Sequence, residues 1–363
     1  MSKVFFFSYA RSSSPLRGLE HLFSKSGFQD QLPAGGSVAI KLHMGELGNV
    51  RYLRPVLVRQ VVDIVRARGG NPFLIDTVVA YPGARATKES YLRTAAMNGF
   101  VEATVGAPVV ICGDEDAHRA VPVDKRYDGC ELSQISIPSV LLDADCVLVL
   151  THVKGHELTG LGGALKNLGM GCVSRASKRD QHMVNMPVFE NAEECDGCGK
   201  CAQACPTGAI KVSEGCKPER VASECTACGT CHFQCPSHCW NWPHGARERL
   251  QVYLAHAAWA VIKGCSGKMA FVNFIQDVTP HCDCAAPSGR PVVQDVGIAF
   301  SMDPVAADKA SLDLIDQAPI VPGATMAGPP DLLGKMRGTS SLIQLRTAEK
   351  LRAGTLDYEL VNV

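Results

Sequence analysis

The sequence lacks an excess of either charge and has no long apolar run. Its 363 residues include 36 Lys and Arg and 36 Asp and Glu, so the formal net charge is zero. This balance indicates neither a nucleic-acid nor an anionic-membrane partner. No apolar stretch reaches the roughly 18 residues that a membrane-spanning helix needs, and the run Val4-Phe5-Phe6-Phe7 is too short for a signal-peptide core. We therefore expect a soluble protein located in the cytoplasm.

Nucleotide-binding motifs are also missing. The glycine-rich segment from Thr151 to Cys172 contains no Gly-Lys-Ser/Thr and no GxGxxG, which are the patterns of phosphate-binding loops. Apart from paired cysteine motifs, the chain has no repeat and no low-complexity segment. Phosphate or nucleotide binding therefore has no support from motifs.

Cysteine, in contrast, is abundant, with 17 residues, and eight of these form two copies of one spacing. The copies are Cys195-x-x-Cys198-x-x-Cys201-x-x-x-Cys205-Pro206 and Cys225-x-x-Cys228-x-x-Cys231-x-x-x-Cys235-Pro236. This spacing is typical of bacterial ferredoxins with two [4Fe-4S] clusters, in which the fourth cysteine of each copy binds the other cluster. We thus predict one cluster on Cys195, Cys198, Cys201 and Cys235, and the other on Cys225, Cys228, Cys231 and Cys205.

Two other roles for these cysteines are less well supported. CxxC repeats also bind zinc, but zinc ribbons do not usually need four cysteines followed by proline in each half. A disulfide framework is weaker still, because a chain of this length can bury its own core without covalent links.

The apolar pattern predicts an α/β fold with a mostly parallel sheet covered by helices. Strands are predicted at 37–44, 72–79, 109–112, 146–151, 267–275 and 296–300, with a first strand near the start, and helices at 55–68 and from 303 to about 317. The cysteine motifs interrupt this pattern. We therefore divide the chain into a first α/β part (1–189), an inserted ferredoxin-like domain with two [4Fe-4S] clusters (190–245), and a second α/β part (246–363).

Histidines and lysines follow several predicted strands. His43 lies at the end of the predicted strand at 37–44, and His152, His156 and Lys166 lie in the glycine-rich segment after the strand at 146–151. Loops at the carboxyl ends of such strands form the ligand crevice of α/β sheets. We therefore expect these four residues to be catalytic, the alternative being polar strand-end residues held by hydrogen bonds.

A second group of thiols follows the strand at 267–275, in the sequence Pro280-His281-Cys282-Asp283-Cys284. A Cys-x-Cys pair can bind a metal ion or contribute to a cluster, so we predict a further metal or iron-sulfur site at Cys282 and Cys284, with Cys172 as metal ligand and His156 as another candidate. Inert buried thiols or a redox pair are the alternatives. The remaining cysteines at 112, 130, 146 and 265 lie in apolar runs and are interpreted as packing residues.

These segments resemble the domain-of-unknown-function 362 family, a group of uncharacterised iron-sulfur centre proteins. The resemblance covers residues 38–44, the segment 151–172, the cysteine motifs, residues 273–284 and the Ser-Met-Asp-Pro-Val-Ala run at 301–306. A more distant likeness is to the nickel-pincer lactate racemases, which use histidines and a lysine of a comparable loop. Here two residues separate Gly163 from Lys166, whereas that family has its lysine directly after the glycine pair.

Three functions follow from these observations. The first is an iron-sulfur oxidoreductase, in which two clusters pass electrons to a small-molecule substrate in the crevice and receive them from a redox partner protein or a small-molecule reductant. The second is an electron-transfer module that docks on a partner enzyme. The third is a metal-dependent isomerase with structural clusters. We expect the first, and therefore an enzyme.

Overall fold

The structure is a computed structural model that describes residues 1–11, 14–213, 215–265, 267–324 and 328–363. Its strands are β1 (Ser2–Ser8), β2 (Ser37–Lys41), β3 (Asn71–Thr77), β4 (Val109–Cys112), β5 (His118–Pro122), β6 (Gln134–Pro138), β7 (Cys146–His152), β8 (Lys154–His156), β9 (Gly160–Gly162), β10 (Val188–Phe189), β11 (Ile210–Lys211), β12 (Glu219–Arg220), β13 (Trp240–Asn241), β14 (Lys268–Ile275), β15 (Gly297–Ser301) and β16 (Tyr358–Asn362). Its α-helices are α1 (Pro15–Lys25), α2 (Pro55–Ala67), α3 (Lys88–Met97), α4 (Glu102–Val105), α5 (Ser139–Leu142), α6 (Ala164–Gly169), α7 (Arg175–His182), α8 (Lys200–Gln203), α9 (Thr230–Gln234), α10 (Ala246–Gly264), α11 (Pro304–Gln317), α12 (Leu332–Met336) and α13 (Leu342–Lys350). Short 3-10 turns cover Phe28–Gln31, Met183–Asn185, Ala192–Glu194 and Ala222–Glu224.

An eight-stranded sheet forms the centre of the described fold, in the order β16-β1-β15-β14-β7-β2-β3-β4. Neighbouring strands are parallel except around β15, which runs antiparallel to both β1 and β14. The prediction of a mostly parallel α/β sheet is confirmed. The reversal at β15 was not predicted. It arises because no helix crosses back between β14 and β15, and a parallel neighbour would need such a crossover.

Helices cover both faces of the sheet, which gives the strands two buried sides. In β2, Ala39 points into a core formed with α6, α10 and α13, whereas Val38 and Ile40 point into a core formed with α1 and α2. Side chains alternate between the faces of a strand, so a strand buried on both faces is apolar throughout. This explains why the sequence shows these strands as continuous apolar runs.

The bounds of the central elements match the predictions closely. Strand β4 has the predicted range, β7 and β14 differ from theirs by one residue at one end, and β15 is shifted by one residue at both ends. Strand β2 ends at Lys41, whereas the prediction ran to residue 44, and β3 spans Asn71–Thr77, whereas 72–79 was predicted. Helix α11 begins after Asp303, whose side chain accepts hydrogen bonds from the backbone N–H groups of Val305 and Ala306, as expected of an N-cap followed by proline. Helix α10, strand β16 and the small hairpins were not predicted.

Residues 190–245, which we call the cysteine cassette, contain only short elements. Strands β11 and β12 pair with each other, and β13 pairs with β10, which lies just before the cassette. Helices α8 and α9 each follow a glycine with positive φ, Gly199 and Gly229, directly after the second cysteine of each motif. The two cysteine motifs therefore adopt matching local conformations. No helix in the described residues is long and apolar enough to cross a membrane.

Candidate functional site

A chamber of about 690 Å³ lies where the carboxyl ends of β2, β3 and β7 meet. Loops that follow these strands line it, together with α6, α7 and the segment after β14. Its other wall belongs to the second cysteine motif and nearby aromatic residues: Thr226, Ala227, Cys228, His232, Phe233 and Trp242. The chamber is thus bounded by the sheet on one side and by the cysteine cassette on the other.

His156, Cys282 and Cys284 meet in this chamber. Their ligand atoms all lie within 4.8 Å of one another. Two thiolates and an imidazole suit zinc and other first-row transition metals, and three protein ligands leave a fourth position open, as in catalytic zinc sites. The backbone N–H of Leu158 donates to His156 Nδ1 at 3.2 Å. A metal bound at Nδ1 would replace this hydrogen bond, and a metal bound at Nε2 would put the ring proton on Nδ1, which could then no longer accept it. The donor set fits one metal ion.

The two thiols of this group differ in their affinity for a proton. A hydrogen bond from Cys284 and the charge of Lys166 hold the pKa of the Cys282 thiol well below its usual range, although burial opposes this. The same hydrogen bond and burial raise the pKa of Cys284. Lys166 Nζ lies 3.5 Å from Cys282 Sγ. Cys282 is therefore prepared to act as a thiolate.

Asp283 turns away from the chamber and anchors the segment between the two cysteines. Its fully buried carboxylate accepts a hydrogen bond from His152 Nδ1 at 2.9 Å and pairs with Lys154 Nζ at 3.2 Å. Burial alone would raise the pKa of Asp283, yet His152 and Lys154 hold it well below its usual range. His152 Nε2 lies 2.8 Å from the Gln276 carbonyl, so both of its nitrogens face acceptors. His152 thus holds the Cys-x-Cys segment in place through its contact with Asp283.

His43 lies at the chamber wall, and its ring is held by neighbours. Arg85 Nη1 lies 2.8 Å from His43 Nε2, and the Gly45 backbone nitrogen lies 3.0 Å from Nδ1. Arg85 also contacts Glu46 at 2.9 Å and the Tyr81 hydroxyl at 2.6 Å. Burial and the charge of Arg85 lower the pKa of His43 well below its usual range. His43 is therefore a neutral ring, and because a neutral imidazole has a single acceptor nitrogen, it accepts a hydrogen bond from only one of these two donors.

Lys166 is positioned by the short helix α6. The buried Asp308 carboxylate accepts hydrogen bonds from the Ala164 N–H at 2.6 Å and the Leu165 N–H at 2.9 Å, which are donors of the first turn. Burial raises the pKa of Asp308 to about 6. Because the free N–H groups of a helix start are satisfied here by one acidic side chain, the helix has a fixed start and presents Lys166 to the chamber.

Cys172 does not join the His156, Cys282 and Cys284 group. It is fully buried in the core that contains α10, with its Sγ 3.8 Å from the Asn167 carbonyl, and burial raises its pKa to about 12. A thiol in such surroundings is a packing residue. The sequence predicted Cys172 as a ligand because it ends the glycine-rich segment. In the structure it packs in the core beside α10, so we leave it out of the proposed metal site.

Four cysteines that the spacing assigns to one cluster line a small second cavity in the cassette. They are Cys195, Cys198, Cys201 and Cys235, and Cys239 lines it as well. Of the other predicted set, Cys225 and Cys228 are close enough to Cys231 to influence its pKa, which burial raises to about 12. Cys201 and Cys231 pack with Trp240 in a core of the cassette's own. The first set therefore fits one four-cysteine cluster, and the pairing of Cys205 with the second set stays a prediction.

The sequence analysis did not identify Lys178 and His182 of α7, or Asn185 in the 3-10 turn that follows it. All three residues line the chamber, and their spacing of four and then three residues puts them on one side of this helical segment. Lys178 donates to Thr77 Oγ1 at 2.6 Å and to the Val78 carbonyl, and burial lowers its pKa to about 7. The i, i+4, i+7 spacing of polar residues was the available signal.

A family profile described as Domain of unknown function (DUF362) matches residues 38–313. The chain belongs to this family. The match contains every chamber residue named above, from His43 to Cys284, as well as the cysteine cassette. Among curated proteins, no sequence matches this DUF362 protein.

Two solved structures show a distant likeness to this DUF362 protein. One is a Thermotoga maritima protein, with 11% identity and a TM-score of 0.41, and the alignment covers 81% of this chain and 58% of that one. The other is the lactate racemase apoprotein from Thermoanaerobacterium thermosaccharolyticum, with 10% identity and a TM-score of 0.37, covering 92% of this chain and 77% of that one.

Proposed function

We propose that this protein is an iron-sulfur oxidoreductase that reduces or oxidises a small molecule in the chamber. The observation that carries the proposal is the composition of the chamber wall. Cys228, a predicted cluster ligand, lines the same cavity as His156, Cys282 and Cys284. A cluster held at Cys225, Cys228, Cys231 and Cys205 would adjoin this cavity, and bound clusters would supply single electrons there.

The other residues of the site have roles that their contacts support. His156, Cys282 and Cys284 would hold one metal ion with a free coordination position. Lys166, beside Cys282, would donate a proton or a hydrogen bond to a molecule bound next to that position. Asp283 and His152 would keep the two thiols in place, as residues that contact ligands commonly do in metal sites.

Metal analysis of the protein purified without oxygen tests the proposal. We expect about eight irons per chain and one further metal ion. Cys228→Ser is expected to lower the iron content strongly, and Cys216→Ser, which changes an exposed cassette cysteine outside both sets, is expected to leave it unchanged. A Cys282→Ser/Cys284→Ser double variant should keep the iron of the cassette and lose the further ion. Cobalt titration provides a second reading, because Co²⁺ bound to thiolates absorbs visible light.

The function itself is tested by oxidation of reduced methyl viologen in the presence of a small-molecule library. Turnover that requires both Cys228 and the Cys282/Cys284 pair supports the proposal. Reversible cluster reduction with no turnover of any small molecule would instead favour an electron-transfer module. Catalysis that does not respond to the redox state of the clusters would favour a metal-dependent isomerase. Zinc in place of iron in the cassette would contradict all three.

A further inference from the structure

The charges on the chamber wall do not balance. Three of the cations are matched by carboxylates: Lys41 by Asp76 at 3.1 Å, Arg85 by Glu46 at 2.9 Å and Lys154 by Asp283 at 3.2 Å. Lys166 and Lys178 also line the chamber. In the part of the chain that the structure describes, neither of their ammonium nitrogens has a carboxylate oxygen within 4.0 Å. Ammonium groups in a partly enclosed cavity are stabilised by negative charge, so the wall favours an anion.

A polar side chain without a partner lies on the same wall. Asn185 is 1% exposed, and neither its amide nitrogen nor its amide oxygen has a hydrogen-bond partner among the described residues. Buried polar groups are nearly always hydrogen-bonded, and leaving one unpaired is costly. Asn185 lines the chamber, so a molecule in the chamber can supply the missing partner.

His182 lies between these features. It is one helical turn from Lys178 and one turn from Asn185, and its pKa falls to about 4 through burial and the charges of Lys166 and Lys178. Its ring makes no hydrogen bond within the described ranges. A neutral imidazole offers one donor and one acceptor. His182 and Asn185 therefore present unused hydrogen-bond groups on the same wall as the Lys166 ammonium group, which donates to Cys282 and has further N–H donors.

We propose that Lys166, His182 and Asn185 form a binding site for the carboxylate group of a small organic substrate. Lys178 contributes charge from behind this site, since its own donors already contact Thr77 and Val78. A carboxylate bound there would bring the rest of the molecule next to Cys282, because Lys166 contacts both places. The inference rests on the proposed function only in treating the bound molecule as the substrate.

A phosphate group fits this wall less well than a carboxylate. Phosphate sites commonly use the backbone N–H groups of a helix start, and the Ala164 and Leu165 N–H groups at the start of α6 already donate to Asp308. The side chains of the proposed site offer one ammonium, one amide and one imidazole as donors. Such a set matches the two oxygens and single charge of a carboxylate.

Calorimetric titration of the full, cluster-loaded chain tests the inference. The probes are acetate, succinate and benzoate, each compared with its uncharged amide, and inorganic phosphate. We expect at least one carboxylate to bind with an affinity ten or more times that of its amide. Asn185→Leu should weaken this binding about tenfold and should not lower the melting temperature, because Asn185 makes no internal hydrogen bond to lose. Lys166→Met should weaken the binding further.

Gln181→Leu serves as the matched control. Gln181 is buried in α7 and, like Asn185, has a side-chain oxygen without a partner among the described residues. It does not line the chamber, so the affinity of the Gln181→Leu variant for the carboxylate should stay unchanged. The inference is overturned if amides bind as tightly as carboxylates, if phosphate binds more tightly, if no carboxylate binds at millimolar concentration, or if Asn185→Leu has no effect on binding. If the chain purified without oxygen contains no cluster iron and still binds the carboxylate, the proposed function is contradicted and this inference stands.

Discussion

Replacing Asp283 by asparagine should destabilise the protein severely, although the change removes a single charge. The carboxylate is fully buried and contacts His152 Nδ1 at 2.9 Å and the Lys154 ammonium group at 3.2 Å. Attraction between the unit charges of Asp283 and Lys154 at such a distance is roughly 5 kcal/mol at an effective dielectric constant of about 20. Desolvation offsets part of this in the intact pair. In the variant, however, Lys154 stays buried without a carboxylate partner, and such losses typically cost about 3–5 kcal/mol.

The assay is thermal unfolding under anaerobic conditions, with metal content measured in parallel. A loss of this size corresponds to a fall in melting temperature of roughly 5–10 °C for a chain of this length. Asp143→Asn is the control, since Asp143 forms an ion pair with Arg119 in which both side chains are more than half exposed. Exposed pairs contribute only about 0–1 kcal/mol, so this variant should unfold near the wild-type temperature.

A second variant separates charge pairing from other effects of the substitution. Adding Lys154→Met to Asp283→Asn removes the unpaired buried ammonium group, so the double variant should be more stable than Asp283→Asn alone. Non-additivity of this kind is expected for residues in direct contact. A melting temperature within about 2 °C of wild type for Asp283→Asn, or no recovery in the double variant, would refute the view that Asp283 holds this segment through its charge.

Three further outcomes are expected. Gly169→Ala should cost about 1–3 kcal/mol in thermal unfolding, because the added Cβ would lie 2.5 Å from the Leu254 carbonyl oxygen on α10; an unchanged melting temperature would mean that α6 can shift freely. Arg85→Met should cost about 3–5 kcal/mol in the same assay, because it leaves Glu46 largely buried and unpaired; a cost below 1 kcal/mol would contradict this. Burial raises the pKa of Asp308 to about 6, against about 3.9 in an unfolded chain, so protonation favours the folded state. Relative to Asp308→Asn, wild-type stability should therefore fall by about 2 kcal/mol as the pH rises from 4 to 6, and urea unfolding that shows no such trend would place the Asp308 carboxyl in a more solvated setting.

Much of the central sheet could be predicted because its strands are buried on both faces. Cys146–His152 and Lys268–Ile275 form nearly continuous apolar runs, and such runs can be recognised as buried strands from the sequence alone. Strand β16, with the sequence YELVN, is short and only partly buried. It exists because β1 offers it a parallel partner from the opposite end of the chain. Long-range pairing of that kind leaves no local signal.

The candidate site was predictable in its residue types and only partly in its geometry. One of the two cysteine sets that the spacing predicts lines the cassette cavity, and the ligand atoms of the Cys-x-Cys pair lie near His156, which was a candidate partner. The sequence could not reveal that Asp283 turns inward and binds His152, because that contact joins residues 131 positions apart. It also could not exclude Cys172, whose position depends on how α6 packs against α10.

The pairing of β1 with β15 and β16 also bears on how the protein reaches its folded state in the cell. Phe6 and Phe7, both nearly fully buried in the complete sheet, belong to β1. The two strands that pair with β1 are β15 and β16, which are synthesised much later because they lie at residues 297–301 and 358–362. Contacts between such distant segments form slowly, and exposed apolar strands are prone to aggregate in the meantime. The first strand is therefore where we expect a molecular chaperone to bind the nascent chain.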